Sequence, residues 1–196
     1  MSFTQKNYPI NQANLALQTR RGQSILIRHI RPGDAELLVE FFGHLSPETR
    51  RMRFMTNQVD PPEELVWQQA ARLAAIDPQR EAALVATVEA AGSTQIVGVA
   101  RLGCESAGAL AAEAAIVLRD DYQGQGLGSC LFDLLLQLAM ARGIEQIWLL
   151  CLAENTGMQR LVQKSGLPYT TTTSRGETTM TIELVGHSVL ERAAGG

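Results

Sequence analysis

A glycine-rich stretch near the middle of the chain separates an apolar segment from an amphipathic one. It reads Gln123-Gly124-Gln125-Gly126-Leu127-Gly128-Ser129. The apolar run 114–118 precedes it, and leucines recur after it at helical spacing: Leu127, Leu131, Leu134, Leu135 and Leu138. The first N–H groups of a helix have no partner within the helix, and glycine lets a ligand approach the main chain. The stretch is therefore typical of an anion-binding loop at a helix N-terminus, and it predicts a phosphorylated ligand.

Three phosphate-binding patterns can be compared with this stretch. A Walker A loop requires a Lys and then Ser or Thr after its last glycine, and no Lys follows Gly128. A dinucleotide fingerprint requires G-x-G-x-x-G, but counting from Gly124 the third glycine position holds Ser129. The remaining pattern is Q-x-x-G-x-G, formed by Gln123, Gly126 and Gly128. The alternative is a glycine-rich turn that binds no ligand, and motifs elsewhere in the chain are needed to choose between the two.

The composition limits the class of protein. The chain has 196 residues, of which 45% are hydrophobic and 19% charged, as is typical of one globular domain with a sizeable core. A formal charge of −3 at pH 7 argues against a nucleic-acid-binding surface as the main function. No apolar run approaches the ~20 residues of a membrane span. The N-terminus also lacks an apolar core behind a basic start, so we expect neither a membrane segment nor a secretory signal.

The residue types that bind metals are scattered along the chain. The cysteines and histidines are Cys104, Cys130, Cys151, His29, His44 and His187. No C-x-x-C pair occurs, so neither a zinc site nor a disulfide framework is expected. We expect no metal cofactor and a reducing, cytoplasmic compartment.

The predicted order of elements is strand, two or three helices, three strands, helix, strand, helix and two strands. The strands are predicted at 24–30, 82–89, 95–102, 111–118, 144–152, 170–173 and 178–184, with a further short strand near 15–18. Asp34 is placed to cap the first helix, and Ser46 followed by Pro47 begins the second. The strands before and after the glycine-loop helix are expected to be parallel, because a helix crosses between them.

The domain organisation predicted from these elements is simple. Residues 1–22 are assigned to an N-terminal arm, residues 23–186 to a single domain and residues 187–196 to a flexible tail. No internal repeat or low-complexity linker divides the domain.

Several motifs resemble one enzyme family. Residues 118–128 (LRDDYQGQGLG) are similar to motif A of the GNAT acetyltransferases, with Asp120 where a Pro is frequent. Residues 155–167 (NTGMQRLVQKSGL) resemble motif B, in which Asn155 would face the cofactor. The N-terminal half is similar to the acetyltransferase domain of bacterial Pat-type protein-lysine acetyltransferases, and the matching segments are Tyr8-Pro9, 27–35 (IRHIRPGDA) and 45–55 (LSPETRRMRFM).

The resemblance implies an α/β (α+β) GNAT fold. A central mixed sheet of about six to seven strands would be flanked by helices. The strands on either side of the glycine-loop helix would splay apart, with the diphosphate of acetyl-CoA on the loop and its pantetheine arm beside the free strand edge. The residues implied as cofactor-binding are Ile116, Val117, Leu118, Gln123, Gly124, Gln125, Gly126, Leu127, Gly128, Ser129 and Asn155.

Glu113 is the candidate general base of the implied reaction. A lysine acceptor with an unperturbed pKa near ~10.4 is mostly charged at neutral pH, so a base must remove its proton. Glu113 is the acid of the predicted strand 111–118, its alanine neighbours leave room for a water and an acceptor, and Pat-like domains carry a Glu in this strand. A solvent-facing Glu at a strand edge is the alternative. Main-chain N–H groups near Val117 and Leu118 are the expected oxyanion donors.

The acid that protonates the leaving thiolate is not identified by the sequence. Many GNAT enzymes have a Tyr seven residues after the motif B Asn, and Val162 occupies that position here. No pattern places Tyr122 or Tyr169 at the sulfur, so water or another group would protonate the thiolate. Cys151 could form a covalent acyl intermediate, but a small buried core residue is the favoured interpretation.

Three arginines, Arg50, Arg51 and Arg53, crowd a segment that borders the acceptor side in the resembled family. They could bind an acidic acceptor protein, pair with structural carboxylates or form a solvated helix face. The sequence leaves these three interpretations open.

The leading hypothesis is an N-acetyltransferase that transfers the acetyl group of acetyl-CoA to a protein lysine. The closest rival takes a small amine or a polyamine as acceptor, and the negative net charge favours cationic acceptors in both cases. A third hypothesis is a GNAT-fold protein that senses acyl-CoA without turnover. The expected partners are an acceptor protein or small amine, with no nucleic acid and no membrane, and a homodimer is left open.

Overall fold

The computed structural model describes residues 14–56, 60–90 and 92–185. The strands are β1 Leu15–Gln18, β2 Ser24–His29, β3 Glu81–Ala90, β4 Ser93–Gly103, β5 Ala111–Leu118, β6 Gln146–Leu152, β7 Tyr169–Ser174 and β8 Glu177–Glu183. The helices are α1 Ala35–Gly43, α2 Pro47–Phe54, α3 Glu63–Ala74, α4 Leu127–Ala141 and α5 Thr156–Lys164. The Tyr8-Pro9 motif and the expected tail 187–196 lie outside the described residues.

All eight strands form one mixed sheet in the order β1-β2-β3-β4-β5-β6-β8-β7. The only parallel pair among them is β5 with β6, as the crossover through α4 requires. The predicted mixed sheet is confirmed, and it has one strand more than the upper expected number. The additional strand is β1, which pairs with β2 from Leu15 opposite Ile27 to Gln18 opposite Ser24. Part of the predicted N-terminal arm therefore belongs to the sheet.

The expected splay lies between β5 and β6. These two strands pair only over residues 111–113 of β5 and 146–148 of β6. Beyond Glu113, β5 continues beside β4 as far as Leu118, and β6 continues beside β8 as far as Leu152. The edge of β5 from Ala114 onward therefore has no strand partner on the β6 side, and its main-chain groups are available to a ligand.

The two faces of the sheet carry separate cores, which fixes where each side chain of β5 lies. On one face, α4 buries its predicted stripe of Leu127, Leu131, Leu134, Leu135 and Leu138. Alternate residues of β5, Ala112, Ala114 and Ile116, belong to that core. Because side chains alternate along a strand, Glu113 lies on the other face with Val117, which packs against the core under α1 and α3.

Two predicted helix caps have different outcomes. The Ser46 hydroxyl accepts a hydrogen bond from the Thr49 N–H at 3.1 Å, so it caps α2 as predicted. Asp34 precedes α1, but its side chain does not cap that helix, and this prediction was wrong. Its carboxylate instead accepts two 2.7 Å bonds from Arg28 and one 2.8 Å bond from the Arg31 N–H. Burial alone would raise the pKa of Asp34, but these hydrogen bonds hold it below its usual value.

None of the helices in the described part of the chain is long and apolar enough to cross a membrane.

Candidate active site

The glycine loop presents a row of main-chain donors at the start of α4. Gly124 and Gly126 have φ values of 71° and 91°, a conformation that favours glycine. Gly126 is the N-cap residue, and its carbonyl accepts the first bond of the helix, from the Cys130 N–H at 3.1 Å. Within the described residues, no hydrogen bond from the N–H groups of residues 124–129 is formed. The loop is therefore built to accept an anionic group such as a diphosphate.

The two glutamines of the loop support it from the protein side. The Gln123 amide donates to the Leu118 carbonyl at 3.3 Å and to the Thr49 hydroxyl at 3.2 Å. The side chain of Gln125 is buried and donates to the Asp121 carbonyl at 2.5 Å. These bonds hold the loop in shape before any ligand binds.

A cavity of about 370 Å³ lies in the splay and collects most of the predicted site. The predicted residues on its wall are Glu113, Ile116, Val117, Leu118, Gln123, Gly124, Gly126, Gly128, Ser129 and Asn155. Gln125 and Leu127 are absent from this wall because both side chains are buried in the protein. Only their main-chain groups remain for a ligand.

Asn155 is held in place by the helix that it begins. Its side-chain oxygen accepts a 3.0 Å bond from the Met158 N–H, which caps α5. Gly157 and Met158 of the first turn also lie on the cavity wall. The start of α5 therefore faces the start of α4 across the splay.

Glu113 is exposed on the cavity wall and forms neither a hydrogen bond nor an ion pair with the described residues. Its cross-strand neighbour is Gly103, and a side chain there would meet nothing within 4 Å. The Glu113 carboxylate interacts electrostatically with Arg53. Burial lowers the pKa of the Arg53 guanidinium, and the charge of Glu113 partly raises it again. A free carboxylate with open space beside it has the geometry required of a general base.

Asp120 occupies the position where the resembled motif often has Pro, and the structure explains what the carboxylate does there. It accepts bonds from the Ser46 N–H at 2.9 Å, the Ser46 hydroxyl at 2.7 Å and the Thr49 hydroxyl at 2.7 Å. The Thr49 hydroxyl in turn accepts a hydrogen bond from the Gln123 amide. Asp120, three residues before Gln123, therefore links the glycine loop to the first turn of α2, whose Ser46 lies 74 residues earlier in the sequence.

The three arginines of α2 have different environments. Arg50 pairs with Asp60 at 2.7 Å, and Arg51 pairs with Glu48 and Glu154 at 2.9 and 2.5 Å. These two arginines satisfy structural carboxylates, which was one of the open interpretations. Arg53 forms no hydrogen bond or ion pair with the described residues and lies on the cavity wall.

The structure favours no side chain as the acid for the thiolate. Val162 is wholly buried in the core, and neither Tyr122 nor Tyr169 is on the cavity wall. Cys151 is on the wall but only 1% exposed, and burial raises the pKa of its thiol. A buried neutral thiol is a weak nucleophile, so the core interpretation of Cys151 agrees with its environment.

Three cations on the cavity wall were missed by sequence reasoning: Arg20, Arg160 and Lys164. Arg160 and Lys164 are four residues apart on α5 and share one helix face, so their spacing was a readable signal. Arg20 follows β1, and its position depends on the β1–β2 pairing, which no local pattern announces. Cations at these positions favour a ligand that carries phosphate groups.

The fold agrees with comparisons to known proteins. A family profile described as Acetyltransferase (GNAT) domain matches residues 24–168. Acetyltransferase PA5475 of Pseudomonas aeruginosa is 34% identical over 142 residues, which cover 71% of this chain and 73% of that protein. The chain therefore belongs to the GNAT family of acetyltransferases, which are acyl-CoA-dependent transferases.

Two further relatives carry the name seen in the sequence resemblance. Acetyltransferase Pat of Mycolicibacterium smegmatis is 29% identical over 152 residues, which cover 78% of this chain but only 44% of that protein. The GNAT domain of S. lividans PAT superposes with a TM-score of 0.75 at 24% identity, over 87% of this chain and 97% of that domain. A Salmonella typhimurium structure described as yncA with its cofactor acetyl-CoA shares the fold, with a TM-score of 0.59 at 19% identity over 84% of this chain and 96% of that one.

Proposed function

We propose that the protein transfers the acetyl group of acetyl-CoA to a primary amine, with Glu113 as general base. The observation that carries this proposal is the splay: a free strand edge, a donor loop at the start of α4 and an unpaired carboxylate share one cavity. The loop would bind the diphosphate, and the free edge of β5 would pair with the pantetheine arm. The cations Arg20, Arg160 and Lys164 would bind the remaining phosphate charge.

The chemistry required of this chain is limited. The amine nitrogen bonds to the acetyl carbonyl carbon, the carbon–sulfur bond breaks, and the thiolate of coenzyme A leaves. Glu113 accepts the proton lost by the amine, directly or through one water. Main-chain N–H groups near Val117 and Leu118 stabilise the oxyanion, and water protonates the thiolate because no Tyr lies on the described wall.

Two classes of acceptor are supported by different observations. A protein lysine ε-amino group is supported by the sequence resemblance to Pat-type enzymes and by the Pat relatives. A small amine is supported by a second cavity that adjoins the first one at Arg53 and Val117, described below. The cytoplasm is the proposed compartment of the reaction. The cysteines among the described residues are free, which fits a reducing environment.

Replacing Glu113 tests the proposed base directly. Glu113→Gln should lower the rate of thiol release by about 10²–10⁴-fold, because the amide cannot accept the proton. Its affinity for coenzyme A, measured by calorimetry, should be unchanged.

Glu183→Gln is the matched control, because Glu183 is exposed at the end of β8 and lies on neither cavity wall. It should keep full activity. Full activity in Glu113→Gln would show that another group removes the proton, and thiol release with no amine tested would contradict the transferase proposal itself.

A further inference from the structure

A second cavity, of about 450 Å³, lies between the sheet and helices α1, α2 and α3. Its walls are mostly apolar and include Phe41, Phe42 and Val99. At its wall, Phe54 and Leu65 are each 42% exposed, which is unusual for large apolar side chains unless a ligand covers them. Both its volume and its apolar lining are typical of a small-molecule site.

The second cavity adjoins the first one. Arg53 and Val117 line both walls, so the two cavities meet on the face of the sheet that carries Glu113. Arg101 faces the second cavity from β4, where it pairs with Ala115, two residues from Glu113 along β5. A ligand in the second cavity can therefore lie on Arg101 and extend past Arg53 and Val117 into the first cavity, on whose wall Glu113 lies.

Arg101 carries a buried charge that the protein satisfies only in part. Its side chain is 12% exposed, and one guanidinium nitrogen, Nη1, donates to the Leu73 carbonyl at 2.7 Å. The other, Nη2, is buried without a hydrogen-bond partner and lies 3.5 Å from a Glu81 carboxylate oxygen. Buried donors of this kind are normally hydrogen-bonded, and the long contact to Glu81 leaves Nη2 able to donate to an acceptor atom of a ligand.

The charges around the cavity favour an anion. Among the described residues its wall carries the guanidinium groups of Arg50, Arg53, Arg72 and Arg101 and no carboxylate. Arg50 pairs with Asp60, and Glu81 lies 3.5 Å from Arg101. Burial lowers the pKa of Arg101, Glu81 raises it, and the charge of Arg72 lowers it. The guanidinium groups stay charged at neutral pH, so their mutual repulsion would be relieved by a carboxylate between them.

We propose that this second cavity is the acceptor site and that the acceptor is a small amine that also carries an apolar body and a carboxylate, as amino acids do. The carboxylate pairs with Arg101 and Arg53, the apolar body lies against Phe41 and Phe42, and the amine reaches Glu113. This inference rests on the proposed acetyl transfer and selects the small-molecule acceptor over the protein lysine. The side chain of a protein lysine brings an ammonium group to a wall of arginines and carries no carboxylate that could pair with them.

The test compares acceptors that differ only in charge. Phenylalanine, leucine and methionine are each assayed against their own amides for thiol release from acetyl-CoA. The acids should be preferred in kcat/KM by about 10- to 100-fold, mainly through KM, because each charge-assisted hydrogen bond to the carboxylate is lost in the amide. Arg101→Met should abolish most of this preference by lowering kcat/KM for the acids.

Arg175→Gln is the matched control, because Arg175 lies in the β7–β8 turn and on neither cavity wall. It should leave the preference unchanged. Arg101→Lys keeps the charge without the guanidinium fork and should retain part of the preference. Unchanged coenzyme A affinity and thermal unfolding show that each variant is folded. Equal use of acids and amides, or the same preference in Arg101→Met, would overturn the inference, as would transfer to lysine peptides alone.

A binding measurement separates this inference from the proposed reaction. Calorimetry with 3-phenylpropionate and with uncharged 3-phenylpropanol needs no turnover. The carboxylate should bind to the wild type, bind at least about tenfold more weakly to Arg101→Met, and outcompete the alcohol. Such binding without thiol release would contradict the acetyl transfer and keep the anion site. Thiol release with amines but no binding of 3-phenylpropionate would support the acetyl transfer and contradict the anion site.

Discussion

The carboxylate of Asp120 fastens α2 to the glycine loop, and we predict that its removal destabilises the fold by a measurable amount. Asp120→Ala removes three hydrogen bonds of 2.9, 2.7 and 2.7 Å and a negative charge at the N-terminus of α2. A lost helix cap costs about 0.5–2 kcal/mol and a lost favourable charge about 0.3–1 kcal/mol. Because the site is exposed to solvent screening, we expect a total of about 1–2 kcal/mol in the free energy of unfolding.

The pH dependence of this effect has a definite sign. Burial alone would raise the pKa of Asp120, but hydrogen bonds from Ser46 and Thr49 lower it below its ordinary value of 3.8. The stabilisation is therefore complete above pH 3.8 and is lost as the pH falls through the lowered pKa. The difference between wild type and Asp120→Asn should be full at neutral pH and vanish in strong acid.

Urea and thermal denaturation of wild type, Asp120→Ala and Asp120→Asn measure these differences, and the matched control is Asp121→Asn. The Asp121 carboxylate pairs with Arg119 in its own turn and has no hydrogen bond to α2 among the described residues. We expect Asp120→Ala to lower the melting temperature by about 2–8 °C and Asp120→Asn by about half as much. Equal effects of Asp120→Ala and Asp121→Asn would refute the reasoning, because the link to α2 would then contribute nothing.

Three further predictions concern the core and the cavity wall. Asp34→Asn should lower the free energy of unfolding by about 3–5 kcal/mol, because it leaves the buried charge of Arg28 without a carboxylate. A loss below about 1 kcal/mol in urea denaturation, as for an exposed ion pair, would contradict this. Cys151→Ala should keep its rate of thiol release, whereas a lost rate would reveal a covalent intermediate. Gly98→Ala places a Cβ 2.6 Å from the Leu118 Cδ2, so Leu118 must shift on the cavity wall, at a cost of about 1–3 kcal/mol, and calorimetry should show weaker coenzyme A binding. Unchanged binding would mean that Leu118 does not contact the ligand.

The parts of the fold that follow from short-range patterns were predictable. The leucine stripe of α4 repeats at helical spacing within fifteen residues, and the structure buries all five of its leucines. The glycines at 124 and 126 signal positive φ at the same place, and both have it. The strand carrying Glu113 was predicted with its observed bounds, Ala111–Leu118, because its apolar run ends at a charged turn.

The parts that depend on contacts between distant segments were not predictable. Asp34 has the residue type and position of a helix cap. Its carboxylate pairs with Arg28 of β2 instead, because the buried guanidinium needs a counter-charge. The second cavity forms where α1, α2 and α3 meet β4 and β5, so the role of Arg101 has no local signature. Asp120 departs from the motif, and its partners Ser46 and Thr49 lie 74 and 71 residues earlier in the chain.

Titration of the protein with coenzyme A tests the central claim most directly, because every proposal above requires a diphosphate on the main chain of the glycine loop. The wild type should bind one equivalent with saturation. Gly126→Asp should not bind, since it puts a carboxylate beside the diphosphate. Gly176→Asp, a glycine of similar positive φ in the β7–β8 turn, should bind as the wild type does. Absence of saturable binding to the wild type, or equal binding by Gly126→Asp and Gly176→Asp, would contradict the account.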